Sequence, residues 1–171
     1  MSLENIRALL RTYTPGRRVR FEPESQAVRD KAPPGVESGV IIQILLLPLP
    51  PPVFGLEIEI EGPDGPDGIV LGTADVMPDP LDLDTLQHEL RHRTVRFARS
   101  IGIGIVFPVG ASEDGLIEHV RYRRAEDGYQ SDLIISLRIA VDPLANPGGI
   151  NTFYTDADFT QCRLLRRTAS R

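Results

Sequence analysis

The sequence is poor in the residues that supply redox and metal chemistry. Its 171 residues include one cysteine, three histidines and no tryptophan. The single cysteine, Cys162, excludes an internal disulfide framework and any cysteine-rich zinc site. The composition therefore gives more evidence about fold and assembly than about catalysis.

Lysine is also scarce, because Lys31 is the only one and arginine supplies every other basic side chain. The formal net charge of −5 argues against a generic nucleic-acid binder, which is usually basic. The planar guanidinium of arginine suits paired contacts with carboxylates at protein interfaces. We expect protein partners rather than sequence-specific contacts with nucleic acid.

Long hydrophobic runs are absent. The most apolar stretch, Val40–Phe54, is too short to cross a bilayer and is interrupted by Pro48 and by Pro50–Pro52. Residues 1–16 carry charges among their apolar positions and lack the pattern of a signal peptide. We therefore expect no membrane partner, and a protein that is cytoplasmic at synthesis, either remaining there or being built into a larger particle.

The spacing of apolar residues predicts an α+β fold in a single domain over residues 1–171. A short N-terminal helix is expected at residues 2–12, and one long central helix at 83–100, packed on a face of an antiparallel or mixed sheet. The strands are expected at 17–21, 40–47, 56–61, 69–76, 116–124 and 133–141, the last two as a hairpin. Leu56, Ile58 and Ile60 alternate with glutamates, which predicts a half-buried strand.

Three proline-rich or polar stretches interrupt this pattern. Residues 22–39 predict an irregular arm, and Pro48–Pro52 predict an extended link. Residues 143–171 predict an irregular basic tail with one short strand near Phe153.

Residues 88–92 read His-Glu-Leu-Arg-His, which matches the H-E-x-x-H pattern of zinc hydrolases. On a helix, His88 and His92 would lie one turn apart and could hold Zn²⁺, with Glu89 as general base. His119 or Glu118 is the third ligand that the sequence suggests. In the competing interpretation no cofactor is bound, because the histidines lie opposite the leucine stripe of the helix and Arg91 and Arg93 would repel a cation.

The charges are segregated along the chain. Nine acidic residues between Leu56 and Asp84 are uninterrupted by a basic one, and a basic block follows. In one interpretation these charges lie on ordinary solvated faces and pair within the chain. In the other, an acidic edge of one copy meets a basic face of the next, and such head-to-tail contacts generate rings when the rotation closes. Its candidate residues are Glu57, Glu59, Glu61, Arg91, Arg93, Arg96 and Arg99.

The stretch Tyr122–Gly128, followed by Ser131-Asp132-Leu133 and an alternating strand to Val141, resembles the closing hairpin of tailed-phage tail-terminator proteins. The order of helices and strands is also similar. The resemblance implies a small α+β subunit without an active site, which forms a ring that caps a tail tube. We therefore expect a non-enzymatic structural subunit that binds itself and other subunits of a particle such as a virion. The alternative is a zinc-dependent hydrolase.

Overall fold

The computed structural model describes residues 3–47, 53–97, 107–122, 133–159 and 162–167. These residues form three α-helices, one short 3₁₀ turn and ten β-strands. The strands make two five-stranded sheets, and all of their pairings are antiparallel. The expectation of a mixed fold built on antiparallel strands is confirmed.

The internal contacts divide the chain into two compact units. The single domain expected over residues 1–171 stays a prediction. Unit 1 comprises residues 1–81 together with 166–171, and unit 2 comprises residues 82–165. The chain therefore returns to unit 1 at its end.

Unit 1 contains one complete sheet and two short helices. Its elements are α1 (Leu3–Thr12), β1 (Arg18–Phe21), α2 (Gln26–Lys31), β2 (Ser38–Leu47), β3 (Val53–Gly62), β4 (Gly65–Gly72), the 3₁₀ turn Thr73–Asp75 and β5 (Val76–Pro78). The sheet order is β4-β3-β2-β1-β5. Its core is built from apolar side chains that alternate along the strands, including Val19, Leu56, Ile58, Ile60 and Leu71.

Residues 22–39, predicted as an irregular arm, contain α2 and the start of β2. Ser25 caps α2, because its hydroxyl accepts a hydrogen bond from the Val28 N–H at 3.2 Å. Val28 is buried against the core of unit 1. One apolar residue and one cap therefore order a stretch whose polar and proline-rich composition indicated a loop.

Unit 2 contains the second sheet and one helix. Its elements are α3 (Leu83–Leu90), β6 (Thr94–Phe97), β7 (Ala111–Tyr122), β8 (Leu133–Val141), β9 (Thr152–Asp158) and β10 (Cys162–Leu164). The sheet order is β10-β6-β7-β8-β9. The predicted pairing of 116–124 with 133–141 is confirmed for Leu116–Tyr122. The tail predicted at 143–171 contains the expected strand at Phe153 and a further strand, β10.

The long central helix predicted at 83–100 is wrong in its extent. Helix α3 begins after its cap, Asp82, and ends at Leu90, where Arg91 adopts an extended conformation and His92 a left-handed one with φ of 66°. Thr94 and Val95, which are β-branched, start a strand that pairs with β7. Residues 98–100 lie outside the described residues. Here residues 94–96 pair with β7, although the spacing of the leucines predicted that the helix would continue.

Helix α3 lies beside β7 and covers part of its edge. The Gln87 side chain accepts a hydrogen bond from the backbone N–H of Val120 at 2.6 Å, while Leu86 and Leu90 are buried. Within the described part of the chain, no helix is long and apolar enough to cross a membrane.

Candidate functional site

The residues of the zinc hypothesis do not share one helical face. His88 and Glu89 lie in the last turn of α3, whereas His92 follows the helix and His119 is an exposed residue of β7. Because α3 ends before His92, the H-E-x-x-H spacing does not place two imidazoles one helical turn apart. In the parts of the chain that the structure describes, no three His, Cys, Asp or Glu residues form a group able to hold a metal ion.

The four arginines of the predicted interface have different environments. Arg91 is exposed, whereas Arg93 is only 9% exposed and donates a hydrogen bond to the Leu165 carbonyl at 2.9 Å. Arg96 binds both carboxylate oxygens of Asp114, at 2.8 and 3.1 Å, and this pairing raises the pKa of Arg96. Arg99 lies outside the described residues. Of the described three, Arg91 and Arg96 are exposed, and Arg96 is already paired with Asp114.

The three glutamates of the predicted interface lie on β3, but only Glu61 is exposed. Arg166 contacts the Glu57 carboxylate at 3.3 Å, and the backbone N–H of Arg167 donates to Glu59 at 2.8 Å. Glu59 is only 5% exposed. The solvated glutamate face predicted by the alternation is therefore wrong for Glu57 and Glu59, because residues 166–167 pack against it.

The β2–β3 hairpin extends beyond the rest of the first sheet. Strand β1 pairs with β2 only over Ser38–Val40, and β4 pairs with β3 only as far as Gly55. Beyond these limits, β2 and β3 have only each other as strand partners within the part of the chain that the structure describes. We call residues 43–47 and 53–55 the apolar ribbon. It contains no charged residue, and its Leu46 and Val53 side chains are 63% and 43% exposed.

Along one edge of the apolar ribbon, the backbone groups have no strand partner among the described residues. Ile41 exchanges backbone hydrogen bonds with residues 16 and 17, so the backbone groups of Val40 face β3. A β-bulge shifts the pairing between Ile41 and Gln43, and after it the backbone groups of residues 43, 45 and 47 face β3. The backbone N–H and C=O groups of Ile44 and Leu46 therefore point away from β3. Two-stranded ribbons are marginally stable in water, so an exposed apolar one is typical of an interaction surface.

The edge of the second sheet at β9 is the other open surface. Val141 donates to the Asn151 carbonyl, which sets the alternation so that the backbone groups of Thr152, Tyr154 and Asp156 point away from β8. We call this row the β9 edge. Tyr154 is 66% exposed. No strand of the described residues pairs with the outer side of this seven-residue strand, and such an edge is a template for pairing with another chain.

The other edge strands in the described residues are short or covered. Strands β5 and β10 have three residues each. On β4, Lys31 donates to the Val70 carbonyl at 2.8 Å and the Arg166 guanidinium lies over Gly68. Short strands and lysine side chains are common ways of blocking edge-to-edge pairing. The β9 edge therefore stands out as the long edge left without such protection.

The thiol of Cys162 is not available for nucleophilic chemistry. It is buried in β10, and desolvation, with a smaller contribution from the charge of Asp158, raises its pKa to about 12. A thiol acts as a nucleophile or metal ligand through its thiolate, which this environment suppresses.

Sequence reasoning missed the residues that form the two open surfaces. The run 40–47 predicted a strand, and nothing in its pattern showed that its second half has β3 on one side and no strand of the described residues on the other. Tyr154 was part of the predicted tail. No protein-family model, curated protein or solved structure matches the chain.

Proposed function

We propose that this protein is a non-enzymatic structural subunit that assembles with copies of itself into a larger particle. The observation that carries the proposal is the apolar ribbon, whose exposed leucine and valine side chains are an unfavourable surface for an isolated molecule. Burial of such a surface against a neighbour supplies the main driving force for association.

The more specific form of the proposal is a ring-forming subunit of a phage tail or tail-like machine. The resemblance of residues 122–141 to tail-terminator proteins supports it, as does an open strand edge that can pair with another chain. The hypothesis of complementary charges now depends on the exposed residues Glu61 and Arg91, since Glu57 and Glu59 have partners within their own chain.

The test is the mass of the purified protein in solution, measured by light scattering during size-exclusion chromatography over a range of concentrations. We expect a defined oligomer. Because full burial of a leucine stabilises by about 1.5–3 kcal/mol, Leu46→Gln should weaken association by roughly tenfold to a hundredfold. The control is Leu144→Gln, which alters a leucine that is still more exposed, at 87%, and lies outside the apolar ribbon. A monomer at every concentration would contradict the proposal.

Electron microscopy of the oligomer tests the more specific form. Closed rings of one size support a tail-type subunit, whereas compact dimers argue against it. Charge reversal at Arg91 tests the charge hypothesis separately. Arg91→Glu should weaken association and remove part of its salt dependence, while an unchanged salt dependence would contradict a role for Arg91.

A further inference from the structure

We infer that the apolar ribbon of one copy adds as a strand to the β9 edge of the next copy, with Leu46 opposite Tyr154. This inference depends on the proposed self-assembly and names the two surfaces that meet. The contact is between two different surfaces, so each copy both donates a ribbon and receives one.

The backbone groups of the two surfaces are complementary. Ile44 and Leu46 direct their N–H and C=O groups away from β3, two residues apart on the apolar ribbon. Tyr154 and Asp156 direct theirs away from β8 at the same spacing, and the Asp156 carbonyl also accepts a hydrogen bond from the Thr155 hydroxyl at 3.3 Å. An antiparallel approach places Leu46 opposite Tyr154 and Ile44 opposite Asp156. Every group in these two pairs then has a partner of the opposite kind.

The side chains and charges favour the same arrangement. Leu46 and Tyr154 are among the most exposed large apolar side chains of the described residues, and this register covers each with the other. The ribbon brings no charge to the contact. The Asp156 carboxylate already pairs with Arg121 and accepts a hydrogen bond from Ser136 at 2.7 Å. Docking therefore leaves no unpaired charge at this position.

A contact between like surfaces explains less of the structure. Pairing of two β9 edges leaves both apolar ribbons exposed, and pairing of two ribbons leaves both β9 edges open. One head-to-tail contact covers both surfaces in every copy of a closed assembly. Such a contact generates a ring when the rotation between copies closes, and an open fibre when it does not.

The experiment is disulfide trapping between two variants of the full-length chain, Leu46→Cys and Tyr154→Cys, mixed in equal amounts and oxidised mildly at pH 8. Directly opposed residues of this kind lie about 5.5 Å apart at Cα, within the range that a disulfide spans. Native Cys162 is buried and does not compete. The control mixture contains Val109→Cys in place of Tyr154→Cys, because Val109 is also exposed and also lies in unit 2.

We expect a covalent heterodimer from the mixture of Leu46→Cys and Tyr154→Cys, and at least tenfold less product from the control. Crosslinked homodimers of either variant alone would overturn the inference in favour of contacts between like surfaces. Oligomers that give no crosslink would overturn the inference and leave the proposed function standing. Wild-type protein that is monomeric at every concentration would overturn both.

Discussion

At the scale of single residues, burial decides which ionisable groups can act. The sequence places Cys162 beside Arg163, an arrangement that lowers a thiol pKa when the thiol is solvated. The structure places the sulfur inside unit 2, where the lost hydration of the thiolate is the larger effect and the pKa rises to about 12. Folding also buries Glu57 and Glu59, whose alternation with apolar residues had predicted a solvated face.

The raised pKa of Cys162 predicts a loss of stability in alkaline solution. Below about pH 8 the thiol is neutral in both states, so its contribution to stability is fully present. Above that pH the unfolded chain ionises and the folded chain does not, and the unfolding equilibrium constant rises by up to about tenfold per pH unit until the folded pKa of about 12.

Urea unfolding at pH 7, 9 and 10 checks this expectation. Wild type should lose more stability between pH 7 and 10 than Cys162→Ala, in which this titration is missing. The subtraction removes the titration of tyrosine and of Lys31, which both proteins share. Equal losses in the two proteins would show that the thiol ionises as readily in the folded state.

At the scale of elements, the short helix α3 and the strand β6 replace the long helix that the leucine spacing indicated. Leu83, Leu86 and Leu90 were correctly assigned to a helix, but the stripe continues in the sequence after α3 has ended. Apolar periodicity indicates which residues face a core, but it does not indicate where the chain begins to pair with a neighbouring strand. At β6, pairing with β7 outweighs the helical pattern.

Gln87 links α3 to the sheet, which predicts a large cost for its removal. Gln87→Ala leaves the buried Val120 N–H without its acceptor, and an unsatisfied buried donor costs about 1–3 kcal/mol. Chemical unfolding measures the change. Gln87→Glu retains an acceptor oxygen and should recover part of the loss. A Gln87→Ala protein as stable as wild type would mean that another group satisfies Val120.

At the scale of the whole molecule, the path of the chain is the main feature that the sequence pattern did not predict. Residues 166–167 return to unit 1 and bind the glutamates of β3, more than a hundred positions earlier in the sequence. A basic terminal stretch and an alternating glutamate strand are both visible in the sequence. Their pairing is a long-range contact, and neither local pattern specifies its partner.

Truncation after Leu165 tests this return. It removes the Arg166 guanidinium and the Arg167 N–H from two buried carboxylates, and we expect a loss of about 1–2 kcal/mol, less than for a fully buried pair because the arginines are half exposed. Thermal unfolding measures it. In a Glu57→Gln/Glu59→Gln background the same truncation should cost less. An equal cost in both backgrounds would exclude the carboxylates as its origin.

The sequence alone determined the type of most elements, because apolar periodicity and turn residues act locally: α1, the strands β2 to β4, the β7–β8 hairpin and the start of α3. It also showed how few residues could support metal or thiol chemistry. Only the tertiary structure decided where α3 ends, which glutamates are buried, and which strands have no neighbour. These outcomes depend on contacts between distant segments, and the two open surfaces exist because no segment of the described chain pairs with them.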